Sequence, residues 1–352
     1  MTPPAGARRD LLEVIEAQRL GCELAGSPLY AAVLDAVAAD VARQGPIAGL
    51  LAPLADAPFG DAVLLRLLAG LHALVLEGEA PELAAHYPSV GGAPGPTLAV
   101  AVHRTVAAHR AELAAHLEEG VQTNEVGRSA TLLGGYLEVA RHGLPLRVLE
   151  LGASAGLNLL FDRYRYLDRE RSFGPVDSPL AFDRPWFGGG PDLDLPLEVV
   201  ERSGCDLAPI DPTTPAGRLR LRSFVWADQP ERLARLDAAL EVARAHPPTV
   251  EQADATVWLA DRLRDPRPGC VTVVSHAIVF QYLSAEGRKD LLAVLDGAAA
   301  RATDEAPLAW LRLEPGGDQA ELRLTTWPGG TTRLLATSAY HGPPVAWRGP
   351  SG

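Results

Sequence analysis

The sequence predicts an α/β protein: a doubly wound, mostly parallel Rossmann-like sheet with an antiparallel edge hairpin, preceded by an all-helical domain. Three observations carry that prediction. Residues 8–142 are rich in Ala and Leu, with apolar positions at helical spacing. From Leu146 the texture changes to short apolar runs alternating with helical segments, as in successive βα units. At the change stands Arg147-Val148-Leu149-Glu150-Leu151-Gly152-Ala153-Ser154-Ala155-Gly156-Leu157-Asn158-Leu159-Leu160, which reads as strand, tight turn of small residues and helix. The expected division is a helical domain over 8–142 and a Rossmann-like domain over 143–348, with an insertion at 167–196.

In the first half, Arg8–Leu20 places Leu11, Leu12 and Ile15 on one helical face. Ser27-Pro28 reads as N-cap and N1 of a helix running through Val41. Asp61–Leu76 is strongly amphipathic and is followed by Gly78. The Gly- and Pro-rich stretch His86–Thr97 reads as a loop. Leu98–Glu118 and Thr123–Arg141, the latter closed by Gly143, read as two further helices. Sparse β-branched residues disfavour strands here. In the second half, strands are expected at Leu146–Leu151, Leu197–Cys205, Thr249–Ala253, Gly269–Val274 and Leu308–Leu313. Helices are expected at Ala155–Tyr166, Gln229–Ala245, Thr256–Arg264 and Ser284–Ala302, the last opened by a near capping box at Ser284. Glu321–Trp327 and Thr332–Ala336 flank Pro328-Gly329-Gly330 as a hairpin. Five βα units and a closing hairpin are the layout of a class I methyltransferase domain.

The bulk properties bound the partners. At 352 residues, with 47% hydrophobic and 22% charged residues, the chain is long enough for two domains with real cores. A net charge of −12 argues against nucleic acid or an anionic membrane as partner. Cys22, Cys205 and Cys270 are odd in number and lack metal-ligand spacing, so they read as reduced thiols, with no metal expected. Residues 1–10 carry no apolar stretch, and no run reaches the ~18 apolar residues of a membrane span. The chain therefore reads as soluble and cytoplasmic, with residues 1–7 and 349–352 as frayed ends. The apolar helical half permits a homodimer.

Three ligand sites compete for the turn. A dinucleotide fingerprint counted from Gly152 fails at Ser154 and Leu157. A P-loop fails because the only lysine is Lys289. Gly152-Ala153-Ser154-Ala155-Gly156 does satisfy G-x-S-x-G, the nucleophile elbow of α/β-hydrolases, with Asp254 and His276 or His341 in the order a triad needs. That elbow follows several strands of its sheet, however, and has no use for Glu150. An S-adenosylmethionine site does use an acid there.

Three strands are expected to end in an acid at the carboxyl edge of the sheet, where ligands of such folds bind: Glu150, Asp206 and Asp254. Glu150 suits the cofactor's ammonium group. The amides of Gly152, Ala153, Ser154 and Gly156, with Asn158 in the following helix, suit its carboxylate. Asp206, followed by Leu207, suits two ribose hydroxyls, and Asp254, followed by Ala255, suits the adenine amino group. Each acid serves equally well as a helix cap. Ser275 and His276 follow the fourth strand, His276 as a candidate base and otherwise a packed histidine. Glu125 is a second candidate base. Asn124 and Arg128, four apart in a polar run, together with Tyr164 and Tyr282, are candidate acceptor-binding residues, with the acceptor held between the halves.

With these segments in hand, the chain resembles a family of bacterial proteins of unknown function that pair an N-terminal helical half with a methyltransferase-like half. The resemblance rests on Val121–Val126, on Glu150–Asn158 followed by Asp162-Arg163-Tyr164, on Asp206–Pro212, on Val225–Leu233, and on His341-Gly342 with Trp347. It covers the chain from about Ser27 to Trp347, and it implies the fold. Three readings follow: a methyltransferase using S-adenosylmethionine on a small or medium-sized acceptor, a serine hydrolase with Ser154 as nucleophile, and a non-catalytic binding module on the same fold.

Overall fold

The structure is a computed structural model that describes residues 11–54 and 62–350. The helix starts expected at Arg8 and Asp61, the frayed residues 1–7 and the last two residues lie outside them. The chain divides into two compact units, one holding the residues up to Thr123 together with Arg218–Ala234, the other holding Asn124–Gly217 and the residues from Arg235 on.

The first unit is helical: α1 (Leu11–Leu24), α2 (Pro28–Ala42), α3 (Pro46–Leu51), α4 (Val63–Glu77), α5 (Pro81–Ala84), α6 (Leu98–Ala108) and α7 (Arg110–Glu118). Ser27 caps α2 as expected, its Oγ accepting from the Tyr30 amide, and Gly78 closes α4 in the left-handed region. The single helix expected over Leu98–Glu118 is instead broken at His109, whose backbone leaves the helical region at φ −117° and ψ 36°. Ile15, Leu34, Leu67, Leu83, Val102 and Leu113 meet in one core. The segment 218–234 completes that core. Ala227 is buried in it, and Trp226 packs edge-on against Tyr30 at 6.0 Å. Asp228 accepts from Ser27 Oγ at 2.7 Å and from the Leu29 amide at 2.9 Å. The Ser223 carbonyl meets Nδ1 of the buried His72 at 3.2 Å, and burial pushes that imidazole down to about 4.

In the second unit, α8 (Arg128–Ala140) precedes β1 (Leu146–Leu151). There follow β2 (Arg165–Asp168), β3 (Arg171–Phe173), β4 (Ala181–Asp183), β5 (Trp186–Phe187) and β6 (Val199–Asp206). In α9 (Pro215–Ser223) and α10 (Pro230–Ala245) the chain leaves this unit and returns to it. It continues through β7 (Val250–Gln252), α11 (Ala255–Arg262), β8 (Val271–Ala277), α12 (Ala285–Ala299), β9 (Leu308–Pro315), β10 (Ala320–Trp327), β11 (Thr331–Ala339) and β12 (Gly342–Trp347). The large sheet runs β5-β12-β11-β10-β9-β8-β1-β6-β7. β7, β6, β1, β8 and β9 are mutually parallel, and numbered along the chain their order is 3-2-1-4-5. The strand order therefore reverses between β1 and β8. β1 and β8 are buried at every residue, as central parallel strands covered on both faces must be. Leu149 and Val274 face α11 and α12, through Leu259, Leu291 and Leu295. The opposite face carries α8, whose Gly135 lies against Leu311 and whose Gly134 lies against Trp347 so closely that neither position has room for a Cβ.

Four local expectations are corrected. The helix expected at Ala155–Tyr166 is a short 3-10 stretch, Leu157–Arg163, interrupted at Leu160 and followed by β2. Buried Tyr164 and Tyr166 alternate with Arg165, a period-2 signal that overrides the apolar helical one. The helix expected from Thr123 begins only at Arg128, because Asn124 and Glu125 bond backbone amides outside the helix, so Asn124 and Arg128 do not share a helical face. Ser275 and His276 lie within β8, not after it. The closing hairpin gains a third strand, β12, whose outer edge pairs with β5. The insertion contributes that β5 and a small sheet, β3-β2-β4.

Candidate functional site

The turn after β1 alternates conformations: Gly152, Ser154 and Gly156 all have positive φ, at 62°, 54° and 73°. A side chain at Gly152 would meet Val279 Cγ2 at 2.7 Å, and one at Gly156 would meet Pro248 and Val250 at 2.8 Å, so both glycines are required by close packing as well as by φ. The turn is held from inside. The Ala153 amide donates to the Cys205 carbonyl, the Ser154 amide to Asp206 Oδ2, the Gly156 amide to the Ala153 carbonyl and the Leu157 amide to Asn124 Oδ1. Of the expected cradle of free amides for a carboxylate, Ala153, Ser154 and Gly156 are thus already engaged.

Glu150 sits beneath this turn, 4% exposed, and its Oε2 is buried with no hydrogen-bond partner. Burial, reinforced by the nearby charge of Asp206 and opposed by that of Arg128, pushes its carboxyl up to about 8. Beside it, Tyr136 stacks on Phe161 at 3.9 Å and donates to Ser275 Oγ at 2.9 Å. Ser129 donates to Asn158 Oδ1 at 2.7 Å. Tyr136 and Ser129 were not singled out in the sequence. They lie seven residues apart on one face of α8, and their polar atoms among its Ala and Leu positions were the available signal.

Asp206 ends β6, in register next to β1. Its Oδ2 accepts from the Ser154 amide and its Oδ1 from the Ala208 amide, leaving each oxygen one acceptor position. Leu207, 72% exposed, follows it, and Val257, 71% exposed, lies in the first turn of α11. The two loops are tied together by the Ala253 amide on the Asp206 carbonyl and by Gln252 Nε2 on the Leu207 carbonyl. Asp254 caps α11, accepting from the Thr256 and Val257 amides, with Ala255 as the first helical residue.

The polar run before α8 meets the chain's last hairpin. Arg128 donates to the Tyr340 carbonyl at 3.0 Å and to the Ala277 carbonyl at 3.2 Å. Gly127 and Gly342 are in direct backbone contact, and a side chain at Gly127 would strike the His341 carbonyl. Glu125 Oε1 accepts from the Gly127 amide and lies 3.9 Å from Arg235. Asn124, Glu125, Arg128, Asn158 and Glu150 are therefore gathered at the carboxyl end of β1 by elements far apart in sequence.

The structure places the remaining candidates differently. His276 is enclosed in the α11–α12 face. Its Nδ1 lies 2.6 Å from Glu314 Oε1, and its Nε2 accepts from the Trp310 indole at 3.0 Å. Both ring nitrogens are committed, which fixes a neutral imidazole with the proton on Nδ1. Tyr164 is fully buried and donates to the Leu157 carbonyl at 2.5 Å, an internal tie. Tyr282 is half exposed at the end of the loop after β8. Glu314, the partner of His276, escaped sequence reading because a single acid near a strand end carries no pattern of its own.

Among the described residues no helix is long and apolar enough to cross a membrane. No curated protein and no solved structure matches the chain. Residues 13–347 match the model of a family described as an uncharacterized protein conserved in bacteria (DUF2332), and with nearly its whole length so matched the chain belongs to that family.

Proposed function

We propose that the chain is an S-adenosylmethionine-dependent methyltransferase acting on a small or medium-sized acceptor. The observation that carries this reading is Glu150, a buried carboxyl with an unpartnered oxygen at the carboxyl end of the first strand, beside the point where strand order reverses. An ionised carboxylate there is costly alone and favourable opposite a cation, and the cofactor's ammonium group is such a cation. The one acceptor position left on each oxygen of Asp206 suits two vicinal ribose hydroxyls, and exposed Leu207 and Val257 suit the faces of a purine. Arg128, whose charge is felt at Glu150, supplies the counter-charge to the cofactor's carboxylate in place of the engaged turn amides. The 3-2-1-4-5 order of the parallel strands suits this fold, and the β10–β12 meander is this chain's own variation on its edge. When bound, S-adenosylmethionine supplies an electrophilic methyl group. Of the two candidate bases, His276 has both nitrogens engaged, which leaves Glu125 to take the acceptor's proton.

Calorimetric titration tests the reading. S-adenosylmethionine and S-adenosylhomocysteine are expected to bind the wild type at micromolar concentration, and Asp206→Ala to weaken binding about 150-fold, the cost of two hydrogen bonds to a carboxylate. Because the Glu150 carboxyl stands near 8, an arriving ammonium group expels its proton. Titration at pH 7 in buffers of different ionisation enthalpy is expected to report release of about 0.9 proton, and affinity is expected to rise with pH up to about 8. No binding by the wild type removes the reading.

One observation speaks for the hydrolase reading: Ser154 holds the left-handed backbone of a nucleophile elbow. A serine hydrolase also needs a histidine with a free nitrogen; of the two histidines in triad order His276 has none, which leaves His341, in the turn between β11 and β12, as the remaining candidate. Under the methyltransferase reading a fluorophosphonate probe is expected to leave Ser154 unlabelled. Labelling abolished by Ser154→Ala would reverse the ranking.

A further inference from the structure

The loop after β8 is strained. Ile278 has φ 59°, a left-handed conformation that a β-branched side chain strongly disfavours. Nothing in its own side chain pays for that, so the surroundings must hold it. The Ile278 amide donates to the Leu313 carbonyl at 2.8 Å. One oxygen of Glu314 then gathers three donors: the Val279 amide at 2.9 Å, the Phe280 amide at 3.3 Å and His276 Nδ1 at 2.6 Å. Phe280 stacks on the His276 ring at 4.8 Å, and Trp310 fixes the far nitrogen of that ring. The residue so held, Val279, is the one that lies against Gly152, at the start of the turn above Glu150. The other oxygen of Glu314 is buried and unpartnered.

We propose that Glu314 is a positioning residue: acting through His276 and the Val279 and Phe280 amides, it holds the strained Ile278–Tyr282 loop against the Gly152 turn and thereby sets that turn's affinity for its ligand. The inference rests on the methyltransferase reading only for the identity of the ligand. Its geometry assigns His276 a part in the same clamp and places Tyr282, at the loop's end, under the same control.

The test pairs loss of the clamp with relief of the strain. Amide hydrogen exchange in the ligand-free protein is expected to be about tenfold faster at Val279 and Phe280 in Glu314→Ala, with β10 and β11 unchanged. That is the scale of the left-handed penalty at one residue. In an Ile278→Gly background, where the conformation costs little, the same substitution is expected to raise exchange less than threefold. Glu314→Gln, which keeps a neutral acceptor, falls between and serves where Glu314→Ala does not fold. S-adenosylhomocysteine affinity is expected to follow the same pattern: about tenfold weaker in Glu314→Ala and restored in the double variant. A merely structural role would not produce that rescue. Unchanged exchange in Glu314→Ala overturns the clamp. Faster exchange with unchanged affinity overturns its role at the turn. A wild type that binds no ligand overturns the methyltransferase reading, while the exchange experiment still decides the clamp.

Discussion

At pH 9, Glu150→Gln is expected to be more stable than the wild type by on the order of 4–5 kcal/mol, and at pH 4 the two are expected to be equally stable. Burial raises the Glu150 carboxyl from its ordinary 4.5 to about 8. Between those values the unfolded chain has lost this proton and the folded chain keeps it. The folded state binds the extra proton, so stability from this group is complete below about 4.5, falls as pH rises, and is fully lost above about 8. Glutamine has nearly the same shape and no proton to lose, so the difference between the two urea-denaturation curves isolates the group. Parallel pH profiles for the two proteins would mean that Glu150 is solvated or paired in solution. They would also remove the main support for a cationic ligand at this position.

A fragment ending at residue 142 is expected to show no cooperative thermal transition, although the sequence presents it as a complete helical domain. It lacks 218–234, so Tyr30 loses Trp226, the core loses Ala227, and Ser27 and the Leu29 amide lose Asp228. His72, held neutral in the interior, loses the Ser223 carbonyl. The fragment also carries α8, whose residues are almost all buried against the sheet of the other unit's own strands. In the full chain, Asp228→Ala alone is expected to cost about 3 kcal/mol, for two hydrogen bonds to a charged acceptor, measured as a lower urea midpoint at unchanged slope. A fragment that melts sharply near the full chain's temperature would show that the strap is dispensable.

Much of this was written in local patterns. The apolar strand before Gly152, the Ser27-Pro28 start, Gly78 and the cap at Asp254 are each decided by neighbours within four residues, and the structure follows them. The acids at 150, 206 and 254 do stand at the carboxyl edge, since strand ends follow from the same alternation. What the sequence hid is non-local. Asn124 bonds an amide 33 residues on, so the helix it was expected to open starts late. Asp228 caps a helix 199 residues back. The α9 helix lay in a stretch whose turn residues outweigh its apolar ones, and β12 contains Pro343-Pro344, which belongs on a strand lacking a full ladder. The committed nitrogens of His276 depend on Trp310 and Glu314, which no spacing rule connects to it.

The discontinuity of the helical unit also sets a timetable for its birth on the ribosome. Synthesis proceeds at roughly 5–20 residues per second, so the chain up to Thr123 waits roughly 5–20 s before Asp228 is made. During that interval the Ser27 hydroxyl and the Leu29 amide lack Asp228, and Nδ1 of His72 lacks the Ser223 carbonyl, while β1 and β6 have already been translated. The helices that are written first are therefore finished late, and the nascent chain must carry an open apolar core past the point where its sheet has begun to form. A holdase that shelters exposed apolar surface would find its longest-lived target in this N-terminal stretch.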